Sequence, residues 1–556
     1  MNDTIRIIPL GGLDEVGKCM TCVCINDDIF VVETGALIPD KTMPGVDYVI
    51  PRIDFLIENK ERVKAYILLH GHDDEIGALP FIYEEVPAPI YGSSVTLKLL
   101  EIFTLHVKKD IHYDLRPVKA TDVFKIAGRK FHFFHTAHNI AHSSGLAIET
   151  SLGNIVFTGD FVIENSADPA YLCDMNAIAN LAEVPTLALL SESPYASRAG
   201  YTAPLYKLTP HIDSIFKNAE GRIFVSLSQA NLYNLEEIIR LSKAYGKKVI
   251  CYDASTKSAI DEMASAGQLI IPPTNYASLD DILRIRDPEL VIIMLGYGSK
   301  LFNRIALLAS GQNEDRRVRL KETDHFIMAN PSNDNTEIEY VDAADELYRS
   351  PAKVTIVPKK AFLKMHASEE DLKMMASILK PKYYIPVKGL FKDLLANASL
   401  ALEMGINLNH NSVFVLENGL TLQIDEKGAK LLDGAVPHGD IMIDGSGIGD
   451  VSKEVLSDRQ RLGEGLVILA ATLSRSANDV VAGPDLQIKG FPMGRELESV
   501  EREFIRVFEA TIAEFMRPGG YNISELRQNM HERISRAARR QLGKDPLVIP
   551  LLVEVE

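Results

Sequence analysis

The sequence predicts a layered α/β protein of several domains, with a second α/β unit inserted into the first and a small α+β unit at its end. Three observations carry this. The chain has 556 residues, which suggests roughly three or four domains at ~150 residues each. Short apolar runs ended by polar residues or glycine recur, as in buried strands of a layered fold. The style of alternation changes near Leu205 and resumes near Ala352.

Taken in order, Ile5–Leu10 reads as a strand ended by Gly11-Gly12. Cys19–Ile25 and Ile29–Glu33 read as paired strands around the polar turn 26–28. Ala65–Leu69, Phe131–Phe134 and Asn154–Phe157 are further strands. Beyond Leu205, helical stretches (Leu235–Ala244, Ser258–Ala266) alternate with strands (Arg222–Ser226, Lys248–Tyr252, Leu290–Leu295), a doubly wound pattern. Strand Lys353–Val357, helix Glu369–Leu379 and strand Tyr383–Val387 return to the first style. Residues 437–450, rich in Gly and Asp, read as a linker. The tail pairs strands Leu466–Thr472 and Leu547–Val553 with helices Val500–Phe515 and Ser524–Gln541. The expected division is 1–204 and 351–436 for the first domain, 205–350 for the insert, and 451–556 for the terminal domain.

Composition excludes several classes. A hydrophobic fraction of 46% is that of a globular chain rather than a disordered one. No apolar run approaches the ~20 residues of a membrane span, and Met1–Arg6 show no basic segment leading into an apolar one. Five cysteines are too few for a disulfide framework, which points to the reducing cytoplasm. A net charge of −17 argues against polyanion binding by bulk charge, though not against a local basic channel.

The chemistry concentrates in His70-Gly71-His72-Asp73-Asp74-Glu75, on a loop after a strand. Two imidazoles and nearby carboxylates can converge on one borderline metal such as zinc. His138 follows another strand, and Asp160 ends the strand Asn154–Phe157 within Thr158-Gly159-Asp160, at a carboxyl end where α/β sites collect.

These segments, in this order, resemble the metallo-β-lactamase superfamily. By that resemblance His70, His72 and His138 match the ligands of a first metal. Asp160 matches the bridging carboxylate, and Asp74 a ligand of a second metal. Leu10–Lys18, Gly45–Pro51, Leu190–Ser193 with Gly200–Thr202, Leu379–Val387 and Gly439–Asp450 resemble the ribonuclease J family, so the likeness spans essentially the whole chain. The resemblance implies a metallo-β-lactamase αββα sandwich with an inserted β-CASP domain and a C-terminal oligomerisation domain. It also implies hydrolysis of single-stranded RNA as exonuclease or endonuclease, in RNA degradation and rRNA processing. Glu192 matches the first β-CASP acidic motif and His366 the second, a histidine, both catalytic positions by that resemblance. Ser193, Asn231 and Ser299 match RNA-binding positions.

The departures from the pattern concern the second metal. Its histidines are replaced by Glu75 and Lys388, and an early Asp by Glu33. A lysine ammonium has three donors and no lone pair. The reading is therefore at most one zinc per chain, or none, with Asp74 or Glu75 orienting water. Intrinsic cleavage is expected to be weak or lost. The alternative is an inactive paralogue that partners an active ribonuclease J, as homodimer or hetero-oligomer. Loops at 229–234 and 296–300 depart as well, which weakens recognition of an RNA 5′ end. Cys19, Cys22 and Cys24 read as apolar strand cysteines, with Cys19 on the face opposite the other two. His132, His135 and His142 read as ordinary polar residues. Arg533, Arg536, Arg539 and Arg540 read as a solvated helix face.

Overall fold

The computed structural model describes residues 2–39, 43–164, 169–229, 231–267, 269, 271–332, 336–359, 363–445, 447–448, 451–491, 495–516 and 521–556. The chain divides into two compact units, Met1–Ile38 with Tyr48–Ile441 and Pro39–Asp47 with Met442–Glu556.

The first unit contains two facing sheets. One has eight strands, and at its centre Ile5–Gly11, Met20–Ile25, Asp28–Val32 and Val63–Ile67 lie side by side. The other has six, ordered Tyr383–Val387, Thr186–Glu192, Gly153–Phe157, Ser144–Thr150, Arg129–His135 and Val123–Ile126. Their facing side chains form one core that includes Ile7, Val23, Phe30, Ile67, Phe131, Leu146, Ile155, Leu190 and Ile385. A second core packs the outer face of the six-stranded sheet against helices Met175–Leu181, Glu369–Leu379 and Phe391–Glu403. Helix Ser94–His106 lies against Ile90–Gly92 and Leu115–Pro117 of the eight-stranded sheet, so the layers run helix, sheet, sheet, helix, the αββα order expected from the sequence.

After Thr186–Glu192 the chain leaves this sheet, and it returns at Tyr383–Val387, which pairs in parallel with the strand it left. Between them lies an all-parallel five-stranded sheet, Lys248–Cys251, Leu290–Gly296, Ile223–Ser228, His325–Met328 and Lys353–Ile356. Cores on both of its faces make it doubly wound. The boundary expected at 350/351 is corrected here. Lys353–Ile356 pairs with His325–Met328 and so belongs to the insert. The expected linker is corrected as well, because it contains the strand Asp440–Asp444, in which Ile443 is fully buried. Residues 446, 449 and 450 of that stretch lie outside the described residues.

The second unit has a three-stranded sheet, Asp479–Lys489, Leu466–Ser474 and Leu547–Val555. Val467, Leu469, Leu473 and Leu552 face helices Arg495–Phe515 and Ile523–Leu542 through Phe504, Phe508, Met530 and Ile534. Strand alternation sends Ile549, Leu551, Val553 and Val555 to the opposite face, where they are exposed.

Candidate metal centre

The site gathers at the carboxyl ends of strands from both sheets. His70 and His72 follow Val63–Ile67, with His72 at the start of the short helix Asp73–Ile76. Backbone hydrogen bonds fix that helix from outside. Cys19, Thr34 and Ala36 N–H groups donate to the carbonyls of Asp74, Glu75 and Asp73 at 3.0, 2.7 and 2.9 Å. Gly35 permits the approach, since a Cβ there would lie 1.6 Å from the Asp74 carbonyl oxygen. His138 lies between strands Arg129–His135 and Ser144–Thr150. Asp160 follows Gly159, whose φ of +59° favours glycine and where a Cβ would meet the Ser144 carbonyl at 2.7 Å.

One ligand atom from each of His70, His72, His138 and Asp160 lies within 4.8 Å of the others. His72 Nδ1 is 3.1 Å from His70 Nε2 and 3.3 Å from His138 Nε2. His138 Nδ1 sits 2.7 Å from the Met365 carbonyl, which can only accept. The ring proton is therefore on Nδ1, and the Nε2 lone pair points into the group. His72 Nε2 is buried without a hydrogen-bond partner. Burial, then the neighbouring His70, pushes the His72 ring down to about 3, and burial holds His138 well below the ordinary range. Neutral imidazoles converging on one point beside a carboxylate are what a divalent metal requires. The residues present fit one.

The adjoining position is different. Lys388 Nζ donates to Glu75 Oε1 and Asp160 Oδ2, each at 2.6 Å, and pairs with Asp74 Oδ2 at 3.0 Å. Burial alone would depress this ammonium and raise the carboxyls around it. For Lys388 the three carboxylates outweigh burial, and its pKa rises well above the ordinary lysine value. For Asp160 and Asp74 the ammonium outweighs burial, and both fall well below the ordinary carboxylate range. Glu75 goes the other way, raised by burial and then by the charge on Asp74. Glu33, which accepts from the Leu69 N–H at 3.1 Å, is likewise raised by burial and then by Glu75. Glu75 Oε2 lies 3.1 Å from His70 Nε2, but not in hydrogen-bonding geometry. Both Lys388 and Glu33 have left-handed backbones, with φ of +58° and +62°. Such strain in non-glycine residues collects at functional sites.

Beside the centre, Glu192 Oε2 and His366 Nδ1 are 2.7 Å apart, and the same nitrogen is 3.6 Å from Asp160 Oδ2. Glu192 is further held by the N–H groups of Phe161 and Ala367. Asp371 accepts N–H bonds from Ile163, Thr202 and Ser368 at 2.9–3.0 Å. It thus ties together the segments that carry Asp160 and His366. Sequence reasoning missed it, and its only signal was the Ser368-x-x-Asp371 start of a helix.

Two expectations change. Ser193, read as RNA-binding, is fully buried, and its hydroxyl donates to the Val387 carbonyl. Cys19 precedes the strand rather than lying in it, and joins Asp74 and Glu75. Asn231 and Ser299 do lie at carboxyl ends of the inserted sheet, but Asn231 caps helix Leu232–Ala244 and Ser299 donates to Glu339. Ala230 lies outside the described residues. His132 pairs with Glu149, and the rings of His135 and His142 are 5.8 Å apart, away from the centre. Arg533, Arg539 and Arg540 pair within the terminal unit with Glu514, Asp545 and Glu503.

Residues 220–342 match the family description "Ribonuclease J, beta-CASP domain", and 454–555 match "Ribonuclease J C-terminal domain". The chain is 32% identical to Ribonuclease J 2 of Staphylococcus epidermidis, over 100% of this chain and 99% of that protein. It is 31% identical to Ribonuclease J2 of Bacillus subtilis with the same coverage. No helix among the described residues is long and apolar enough to cross a membrane.

Proposed function

The chain belongs to the ribonuclease J family, and from that premise we propose that it acts on single-stranded RNA through a centre holding one zinc ion, with weak hydrolysis of its own. The observation that carries this reading is the Lys388 ammonium among Asp74, Glu75 and Asp160, where a second metal would need lone pairs. His70, His72, His138 and Asp160 would hold the ion, which when bound polarises a phosphoryl oxygen and lowers the pKa of nearby water. Asp160 and Asp74, kept ionised by Lys388, orient that water. Glu192, one hydrogen bond from His366 Nδ1, orients that ring so that His366 Nε2 takes or gives a proton. With one cation, the attacking and leaving oxygens cannot both be stabilised by metal, and turnover falls.

The insert supports the same reading. Hydroxyls at its strand ends are engaged by carboxylates, Ser299 by Glu339 and Ser332 by Glu337. Negative charge there disfavours a terminal phosphate, so RNA with a 5′-monophosphate gains no advantage. Purified chain should hydrolyse single-stranded RNA slowly, lose that activity with His138→Ala, and not distinguish 5′-phosphate from 5′-hydroxyl ends. Fast, 5′-phosphate-dependent decay would refute the proposal.

A second reading, a partner in an oligomer with an active paralogue, is favoured by the terminal unit. Its open sheet face presents Ile549, Leu551, Val553 and Val555, an apolar stripe of the kind that marks an interaction surface. The five free cysteines accord with a cytoplasmic setting.

A further inference from the structure

We propose that Arg198, which belongs to neither the metal-ligand group nor the Glu192–His366 pair, grips the RNA backbone, its guanidinium taking the phosphodiester adjoining the one at the centre. The inference rests on the proposed action on single-stranded RNA. Arg198 lies on the loop that follows strand Thr186–Glu192. On that loop the Tyr195 ring meets the His366 ring edge to face, with centroids 5.7 Å apart, and His366 Nδ1 is 3.6 Å from Asp160. The Arg198 N–H donates to the Tyr195 carbonyl at 2.9 Å. Burial raises the Tyr195 phenol above its ordinary value, and the Lys364 N–H and then the Arg198 charge oppose the rise, so the guanidinium acts at this ring.

The loop fixes this cation and leaves it without a counter-ion. The Glu369 and Glu370 N–H groups donate to the Arg198 and Gly200 carbonyls at 3.0 and 3.1 Å, and Asp371 accepts from the Thr202 N–H at 3.0 Å. The Glu369 and Glu370 carboxylates, on the same helix turn, are taken by Lys373. Arg198 Nε is buried with no hydrogen-bond partner, and the guanidinium pairs with no carboxylate among the described residues. Elsewhere in the chain buried and half-buried guanidiniums are paired, Arg129 with Asp3, Arg222 with Asp324 and Arg304 with Asp253. A desolvated cation without an anion is costly, and the guanidinium fork matches two oxygens of one phosphate. At a net charge of −17 the protein does not collect a polyanion by bulk charge. A single fixed cation beside the centre therefore sets where the strand lies.

The probe is a short single-stranded RNA with phosphorothioate linkages, which keep the backbone charge and resist hydrolysis. Binding to the full chain is read by fluorescence anisotropy across a salt series. Arg198→Gln should weaken binding alike for all sequences and lower the slope of log affinity against log salt by about 0.7, the share of one phosphate on a single strand. Arg198→Lys should keep the slope, since the charge remains, and lose affinity through the missing fork. A set of oligomers, each with one neutral methylphosphonate linkage, locates the contact. One position should weaken binding to the unsubstituted chain by about threefold or more and have no effect with Arg198→Gln. A folded Arg198→Gln variant with an unchanged slope, or with the same loss at that position as the unsubstituted chain, would overturn the proposal. An unsubstituted chain that binds no RNA would strike the RNA reading, and this inference with it.

Discussion

In the proposed one-metal reading, Lys388 and Glu75 set this centre apart from a two-metal one, because an ammonium offers no lone pair and a carboxylate stands in place of an imidazole. Replacing both, Glu75→His with Lys388→His, should raise the zinc count to two and raise phosphodiester hydrolysis by about tenfold or more. Each single change should do much less, since groups acting as a unit are not additive. Metal analysis beside cleavage of RNA and of a small phosphodiester checks this. A double variant holding two ions but cleaving no faster would move the defect to RNA positioning. His70, His72 and the carboxylates beside them were legible as metal-ligand residue types on a loop after a strand, whereas the full set with His138 and Asp160, and the substitutions at Glu75 and Lys388, were legible only through the resemblance to the family. Cys19 was not, because an apolar run continuous with Met20–Ile25 hides where the strand begins. Nor was Ser193, because burial depends on Asn397 and Val387, about 200 residues away.

At the scale of elements, buried and half-buried carboxylates tie segments that the sequence leaves unrelated. Asp371 satisfies three backbone N–H groups from three segments. Asp371→Ala should cost about 3 kcal/mol, since buried donors left unpaired cost about 1–3 kcal/mol each and only part is recovered by water. Denaturant unfolding measures it, and a loss under about 0.5 kcal/mol would contradict the role. Asp3 accepts from Arg129 at 2.8 and 2.9 Å, from the Ser151 N–H at 2.9 Å and from Asn26 at 2.8 Å, tying turns of both sheets. Burial opposes the charge, but these partners outweigh it and bring the Asp3 carboxyl down to about 2 from 3.8. A folded pKa below the unfolded one means stability that is present above about pH 4 and lost as pH falls through about 2. Asp3→Asn should flatten that acid limb of the stability curve. Strand and helix positions were largely readable, because apolar period and end residues are local. The sheet joined by Lys353–Ile356 was not, because a short apolar run looks the same in either sheet.

At the scale of the whole molecule, the insertion was legible as a style that stops and resumes, since parallel strands such as Thr186–Glu192 and Tyr383–Val387 need a connection of a dozen residues or more and tolerate a long one. The open face of the terminal sheet makes an assembly prediction. Leu551→Asp, or truncation after residue 441, should lower the number of chains per particle given by light scattering while leaving the first unit's zinc content intact. An unchanged number of chains would count against the face as an interface. One metal ion and one lysine ammonium are expected to share this centre. The most direct measurement of this is zinc per chain by elemental analysis after exhaustive dialysis, for the unsubstituted protein and for His138→Ala. One ion per chain is expected, lost with His138→Ala. Two tightly held ions in the unsubstituted protein, or one retained after His138→Ala, would contradict it.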